Sequence, residues 1–293
     1  MLRSHHSRAH LQRHAHADGW WELATQAAAP AVADCVATYV GYEECSRTPL
    51  RRFEVPHPNV TVIVNLGDPL DVHAPALEPA GARFGSFVAG LFDTVAVTAS
   101  TGRSRGIELN LSPLATWRLL GVPMHALVNR AVHLGDLLGR DATQLECRLR
   151  DAATWDARFD LLDVALARRL ERARAMPATV AWAWRAVMRE PGAAPVHDIT
   201  RELQWSRRRL AATFREHVGL TPKALARVVR FDRVVRQVRA LPPGESPVWS
   251  RLAFGCGYAD QPHLVREFRE FASLTPTEFH RRLSAILPGV SAP

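Results

Sequence analysis

The sequence predicts an α+β protein. An N-terminal small antiparallel β-barrel or sandwich with packed helices is followed by a C-terminal all-α domain, built from two short-helix pairs joined by a long helix. Three observations predict this. Between residues 35 and 111, short β-type runs alternate with Pro- and Gly-containing turns. After Pro113 the apolar period becomes helical. In the last third of the chain, a nine-residue run occurs twice.

The first thirty residues read as a mobile tail. His5, His6, His10, His14 and His16 lie among Arg, Ser and Ala without apolar period, and an Ala/Pro-rich run follows to Pro30. Such a tract can hold a metal, but no Cys or carboxylate stands at ligand spacing, so no metal site is expected. The β-type runs are Cys35–Glu43, Val60–Leu66, Phe84–Leu91, Thr94–Ala99 and Ile107–Leu111. Pro56-His57-Pro58-Asn59, Gly67-Asp68-Pro69 and Thr101-Gly102-Arg103 punctuate them. A small barrel or sandwich of this kind can hold one small ligand in its mouth. Trp20, Trp21, Trp117 and Trp155 could line such a pocket, although buried aromatics more often belong to a core.

Ser112-Pro113 opens the first helix, Leu114–Leu120, as a cap followed by an N1 proline. Further helices fit Ala142–Ala153 and Asp156–Ala175, the latter with Phe159, Leu162, Leu166 and Leu170 on one packing stripe. Met176-Pro177 ends the pattern. The expected organisation is therefore a tail over 1–30, a β-rich sensor or dimerisation domain with a helical end over 31–177, and a separate domain over 178–293.

Composition bounds the rest. At 293 residues with 47% apolar content the chain can bury a sizeable core, and two domains are expected. No stretch approaches the roughly 18 uninterrupted apolar residues of a spanning helix, and no apolar run follows the basic N-terminus, so neither a membrane protein nor a secreted one is expected. Four scattered cysteines make neither a disulfide framework nor a C-x-x-C site, which fits a reducing cytoplasm. No cofactor is expected.

Charge is unevenly placed. Residues 1–177 carry 19 Lys+Arg against 19 Asp+Glu, whereas residues 178–293 carry 18 against 10, which accounts for the whole net charge of +8. A basic domain beside a neutral one is the electrostatic footprint of a polyanion partner.

The repeat gives that charge a shape. Phe214-Arg215-Glu216-His217-Val218-Gly219-Leu220-Thr221-Pro222 returns 54 residues later as Phe268-Arg269-Glu270-Phe271-Ala272-Ser273-Leu274-Thr275-Pro276, identical at six of nine positions. In each copy a helical segment (Ile199–Gln204; Val248–Cys256) runs into a short turn ending at an N-cap, Ser206 or Asp260. A second amphipathic helix then buries Leu210 and Phe214, or Leu264 and Phe268. Two short helices on a tight turn form a helix-turn-helix, whose second helix fits a DNA major groove. Arg208, Ala211, Ala212 and Arg215 lie opposite the buried stripe in the first copy, with Pro262, Val265, Arg266 and Arg269 at the matching positions. Between the copies, Thr221–Ala240 reads as one helix of about 30 Å, against roughly 34 Å for a turn of B-DNA.

This half resembles the DNA-binding domain of AraC/XylS-type transcription regulators, and Gly257-Tyr258-Ala259-Asp260-Gln261-Pro262-His263-Leu264-Val265-Arg266-Glu267-Phe268 with Thr275-Pro276 resembles that family's C-terminal signature. The resemblance covers roughly residues 178–287. It implies base contacts from Arg207, Arg208, Ala211 and Ala212 in the first recognition helix, and from Gln261, Pro262, His263, Val265 and Arg266 in the second. Leu252, Ala253, Gly257, Phe268 and Pro276 would be structural. Two departures matter. Ser273 replaces the glycine kept at Gly219, so the second unit is expected to end differently. Pro262 offers no side-chain hydrogen bond, so direct readout should be weaker in the second unit than in the first, where Arg208 can pair bidentately with guanine. Val60–Leu66, Phe87–Gly90 and Leu111-Ser112-Pro113 with Leu120-Gly121-Val122-Pro123 resemble an uncharacterised sensor subgroup of the same family. The implied partners are double-stranded DNA, a small-molecule effector, a second copy of the chain and RNA polymerase, with no membrane.

Two alternatives stand beside a sequence-specific regulator. One is an enzyme with a fused DNA-targeting domain. Alkyl-transfer repair proteins need a Pro-Cys-His-Arg acceptor and four zinc-binding cysteines, whereas Cys147 lies in Glu146-Cys147-Arg148 and Cys35 and Cys45 lack two partners. A cupin-type oxygenase needs ligands on adjacent strands, whereas His14 and His16 fall in the tail and His57 and His73 stand alone by prolines. The other is a binder of nucleic acid without sequence preference, which charge alone permits and the duplicated unit disfavours.

Overall fold

The computed structural model describes residues 8–74, 81–189, 196–242 and 244–285. The strands are β1 (His10–His16), β2 (Gly19–Ala27), β3 (Thr38–Ser46), β4 (Leu50–Glu54), β5 (Val60–Asn65), β6 (Leu70–His73), β7 (Ala82–Phe84), β8 (Phe87–Ala89), β9 (Ala96–Ser100), β10 (Arg103–Leu111) and β11 (Ala131–His133). They form a seven-stranded sheet in the order β1-β2-β3-β10-β5-β8-β11 and a four-stranded sheet, β4-β9-β6-β7. Every pairing is antiparallel. The sheets stack as a sandwich and do not close into a barrel.

The expected tail is not a tail from residue 10 onward. β1 and β2 form a hairpin, with His14 opposite Trp21, at one edge of the large sheet. β1 is an exposed edge strand, so it needs no alternating apolar pattern to be stable. Its anchorage is remote: the backbone N–H groups of Arg8 and Ala9 both donate to Asp156 at 2.9 Å, and the Trp155 indole donates to Glu22 at 2.7 Å. His5 and His6 lie outside the described residues.

α1 (Pro113–Leu120) starts as expected, with Ser112 Oγ accepting from Ala115 N at 3.1 Å. A 3-10 turn (Met124–Leu127) follows, then α2 (Leu134–Leu138), α3 (Arg140–Asp151) and α4 (Trp155–Glu171). α4 covers one face of the large sheet. Phe159 stacks on Tyr39 at 5.5 Å, and Trp155 lies so close to Gly41 that a Cβ there would come within 2.5 Å of its ring. Trp155 is thus a core residue.

The remaining helices are α5 (Ala178–Arg189), α6 (Val196–Leu203), α7 (Arg207–His217), α8 (Pro222–Arg239), α9 (Trp249–Gly255), α10 (Gln261–Ala272) and α11 (Pro276–Ala285). α8 is the rod: Leu225, Val228, Phe231, Val235 and Val238 are all buried along it. Its 18 residues span about 27 Å at 1.5 Å each.

Candidate DNA interface

Both helix pairs are built by the same local devices. Ser206 Oγ accepts from Arg209 N at 3.1 Å to start α7, and Asp260 Oδ1 accepts from His263 N at 2.7 Å to start α10. The preceding turn passes through a left-handed residue in each copy, Gln204 (φ 52°) and Gly257 (φ 81°). Trp205 N then bonds Thr200 O at 3.0 Å, and Tyr258 N bonds Ala253 O at 2.9 Å. From there to the cap the second turn is one residue longer, by Ala259. The helices that follow each unit are also capped alike: Thr221 Oγ1 accepts from Ala224 N at 3.2 Å, and Thr275 Oγ1 from Glu278 N at 3.3 Å. Glu278 returns the bond by accepting from Thr275 N at 2.8 Å, a full capping box.

The buried stripes are those expected, with Leu210, Phe214, Leu264 and Phe268 all sealed from solvent. The outer faces are open. On α7, Arg207, Arg208, Ala212 and Arg215 are exposed and Ala211 is half-buried. On α10, Gln261, Pro262, Arg266 and Arg269 are exposed, while His263 and Val265 are half-buried. Among the described residues, Arg207, Arg208, Arg215, Arg266 and Arg269 take part in no ion pair. They are cations without internal partners, which is what phosphate and guanine recognition requires.

His263 is placed differently from its neighbours. Its ring meets Tyr258 edge-on at 5.2 Å, and Nε2 stands 3.9 Å from Glu267. Arg209 likewise turns aside, its guanidinium 4.5 Å over the Trp205 ring. The Ser273 departure resolves otherwise than expected. The second unit ends in the left-handed conformation, as the first does, and Ser273 adopts it (φ 55°, ψ 24°) in place of glycine.

Sequence reasoning missed what holds α10 to the rod. Arg230 Nη2 donates to Glu267 Oε1 at 2.6 Å, and Arg227 Nε donates to the same oxygen at 2.9 Å. Arg230 also lies 4.6 Å over the Tyr258 ring. The signal was present in the arginines at 227, 230, 233, 236 and 239, which recur every three residues and so wind past the buried side of α8.

The first unit also rests on the amino-terminal half. His217 packs on the Trp117 ring at 4.6 Å, Glu216 lies 3.9 Å from His125, and Gly219 abuts Met124 and Val128. At about 100° per residue His217 points to the side of α7 opposite Arg208, Ala212 and Arg215, whereas Glu216 borders their face, and those three residues remain exposed. The residues on which an enzyme would rest are dispersed. His14 stacks on Trp21, His57 follows β4, His73 ends β6, and Cys147 is exposed on α3. No group of three or more His, Cys, Asp or Glu able to hold a metal occurs among the described residues. Among them, too, no helix is long and apolar enough to cross a membrane.

Two capped helix pairs with cationic outer faces, carried on one rod, define a DNA-binding domain of the double helix-turn-helix class. Residues 199–282 match the family described as a helix-turn-helix domain, and residues 25–133 match a domain of unknown function, DUF6597. The carboxy-terminal domain is a helix-turn-helix domain of the AraC type. No curated protein matches the chain in sequence. Among solved structures it is similar to a single-substitution variant of ToxT from Vibrio cholerae in its apo form, at 12% identity over 82% of this chain and 99% of that one, with a TM-score of 0.44. It is also similar to unsaturated fatty acid-bound ToxT from the same organism, at 12% identity over 82% and 95%, TM-score 0.45. The AraC-like transcriptional activator CuxR matches at 14% identity over 75% and 81%, TM-score 0.32.

Proposed function

We propose that this chain is a sequence-specific transcription regulator that lays α7 and α10 into successive major-groove segments of duplex DNA. The observation that carries the reading is the pair of solvent-facing arginine faces without internal partners, Arg208 and Arg215 on one helix and Arg266 and Arg269 on the other. Arg207, Arg208, Ala211 and Ala212 would meet base edges in the first unit, and Gln261, Pro262, His263, Val265 and Arg266 in the second. Arg215 and Arg269 would serve phosphates. The half up to residue 177 is the sensor in this reading, its domain starting at the β1–β2 hairpin, and the DNA-binding domain begins at residue 178. The Trp117–His217 contact is a route by which a ligand or partner on the sensor would bias the first recognition helix. A second copy of the chain and RNA polymerase are the protein partners of that role.

The test is to select bound duplexes from fragmented genomic DNA, derive their common motif, and compare affinity for it with random duplex near physiological salt. At least about a thousandfold preference, falling steeply with salt, is expected. Equal affinity for both would leave a phosphate-only binder and refute sequence-specific control.

A further inference from the structure

The two recognition helices share a contact that their sequences do not. Counted from the caps, Arg209 and His263 hold the same place, the third residue after Ser206 and after Asp260. Trp205 and Tyr258 also match, each being the turn residue whose N–H closes on the preceding helix, at Thr200 O and Ala253 O. In both units the matched side chains meet: Arg209 lies 4.5 Å over the Trp205 ring, and His263 stands edge-on to Tyr258 at 5.2 Å. The contact persists although Ala259 lengthens the second turn, so the fold retains it where the sequence spacing changes.

The two pairs are finished differently. Tyr258 is sealed, with Arg230 of the rod 4.6 Å over its ring, and His263 Nε2 turns towards Glu267 at 3.9 Å. Trp205 is only half-buried and Arg209 is exposed. Among the described residues the Arg209 guanidinium makes no ion pair, and the bond at Ser206 is to the Arg209 backbone. An aromatic face offers no acceptor oxygen, so the ring fixes the guanidinium while its N–H donors stay available.

Position decides what those donors can reach. At about 100° per residue Arg209 borders the open face of Arg208, Ala212 and Arg215 instead of lying at its centre. A helix seated in a major groove meets base edges with the middle of its open face, and side chains at the border meet the phosphates of the groove wall.

We propose that Trp205 and Arg209 form a preset clamp for one phosphate of the groove wall beside α7, a grip that the second unit lacks. The inference rests on reading the chain as a DNA-binding regulator and adds two residues to its interface: Arg209 touches the phosphate, and Trp205 is a positioning residue. Holding the side chain beforehand removes part of the ordering cost that a free arginine meets on binding. Arginine suits the place better than lysine, because a planar guanidinium can stack on a ring and still bond oxygen in its own plane. The contact carries no base information, so it sets the register of the first unit on the duplex and strengthens every sequence alike.

The experiment measures the affinity of the full chain for a random duplex and for the selected duplex at several salt concentrations. Arg209→Gln should weaken both about tenfold and lower the salt slope by about 0.9, the share of one phosphate, with the ratio between duplexes unchanged. Trp205→Ala should weaken both severalfold, and Trp205→Phe should restore most of that loss. The double change Trp205→Ala with Arg209→Gln should bind no more weakly than Arg209→Gln alone. His263→Ala should leave the slope as it is. The melting temperature of each variant without DNA verifies that it is folded. A native slope in folded Arg209→Gln, or a shifted ratio between the duplexes, would overturn the phosphate contact. Additive losses in the double variant would overturn the positioning role of Trp205. A slope loss in His263→Ala equal to that of Arg209→Gln would overturn the difference between the units. A native chain that prefers neither duplex refutes the regulator reading, and the slope on random duplex still decides the clamp.

Discussion

Glu267, on the second recognition helix, accepts a hydrogen bond from Arg230 of the rod at 2.6 Å, with the two side chains only 4% and 8% exposed. The orientation of α10 is therefore fixed by a charge pair as well as by the edge-on contact of Phe231 with Phe268 at 4.8 Å. Removing one partner leaves the other charge buried. Glu267→Ala is expected to cost about 3–5 kcal/mol in urea unfolding, whereas the double change Arg230→Met with Glu267→Leu should recover much of it. Equal losses in the single and double variants would mean that the pair acts only through packing.

The same carboxylate gives acid sensitivity a defined sign. Burial alone would raise its pKa, but hydrogen bonds from Arg230 and Arg227 outweigh burial and hold it below the ordinary 4.5. A lowered folded value means that its contribution is complete above the ordinary value and is lost as pH falls through the lowered one. Glu108 and Asp232, both raised by burial, act oppositely, losing stability as pH rises through the ordinary carboxylate value towards their raised ones. Unfolding free energy measured between about pH 5 and pH 3 should fall more steeply in the native chain than in Glu267→Gln. Parallel curves would show that Glu267 does not carry the acid response.

Arg208 and Arg215 share a face of α7 but should fail differently when removed. Arg208→Ala is expected to lose about 1–3 kcal/mol on the selected site and to relax discrimination at one base pair. Arg215→Ala should weaken all duplexes alike and reduce the salt slope by about one. Affinity series on target and scrambled duplex at several salt concentrations separate the two. A wild-type ratio of target to scrambled affinity in Arg208→Ala would show that this guanidinium reads no base.

What could be read from the chain follows from where its information is stored. The caps Ser206 and Asp260 and the stripe of Leu210, Phe214, Leu264 and Phe268 are local and occur twice, so the repeat made them legible. The Arg230–Glu267 pair spans 37 residues, and each member alone looks like part of a solvated helix face. The β1 strand escaped for a related reason, since Arg8 and Ala9 are held by Asp156 nearly 150 residues away. β4 and β6 are short, and Arg51, Arg52 and Asp71 mask their alternation.

Gly219 and Ser273 occupy the same place in the two repeats and should respond with opposite signs. Both adopt left-handed backbone, at φ 96° and φ 55°. For Ser273 the Cβ makes that conformation unfavourable by about 1–2 kcal/mol, partly offset in a glycine variant by the greater freedom of its unfolded chain. Ser273→Gly should therefore stabilise the protein by roughly 0.5–1 kcal/mol. At Gly219 the backbone term is joined by contact with the amino-terminal half, since an added Cβ would come within 2.9 Å of Val128 Cγ2 and 3.1 Å of the Met124 carbonyl oxygen. Gly219→Ala should cost about 2 kcal/mol or more, because the strain cannot relax without moving α7 off the 3-10 turn. Chemical denaturation of the two variants beside the native chain measures both. Stabilisation by Gly219→Ala, or a loss in Ser273→Gly, would show that the two helix ends are governed by something other than backbone handedness and the fit against Met124.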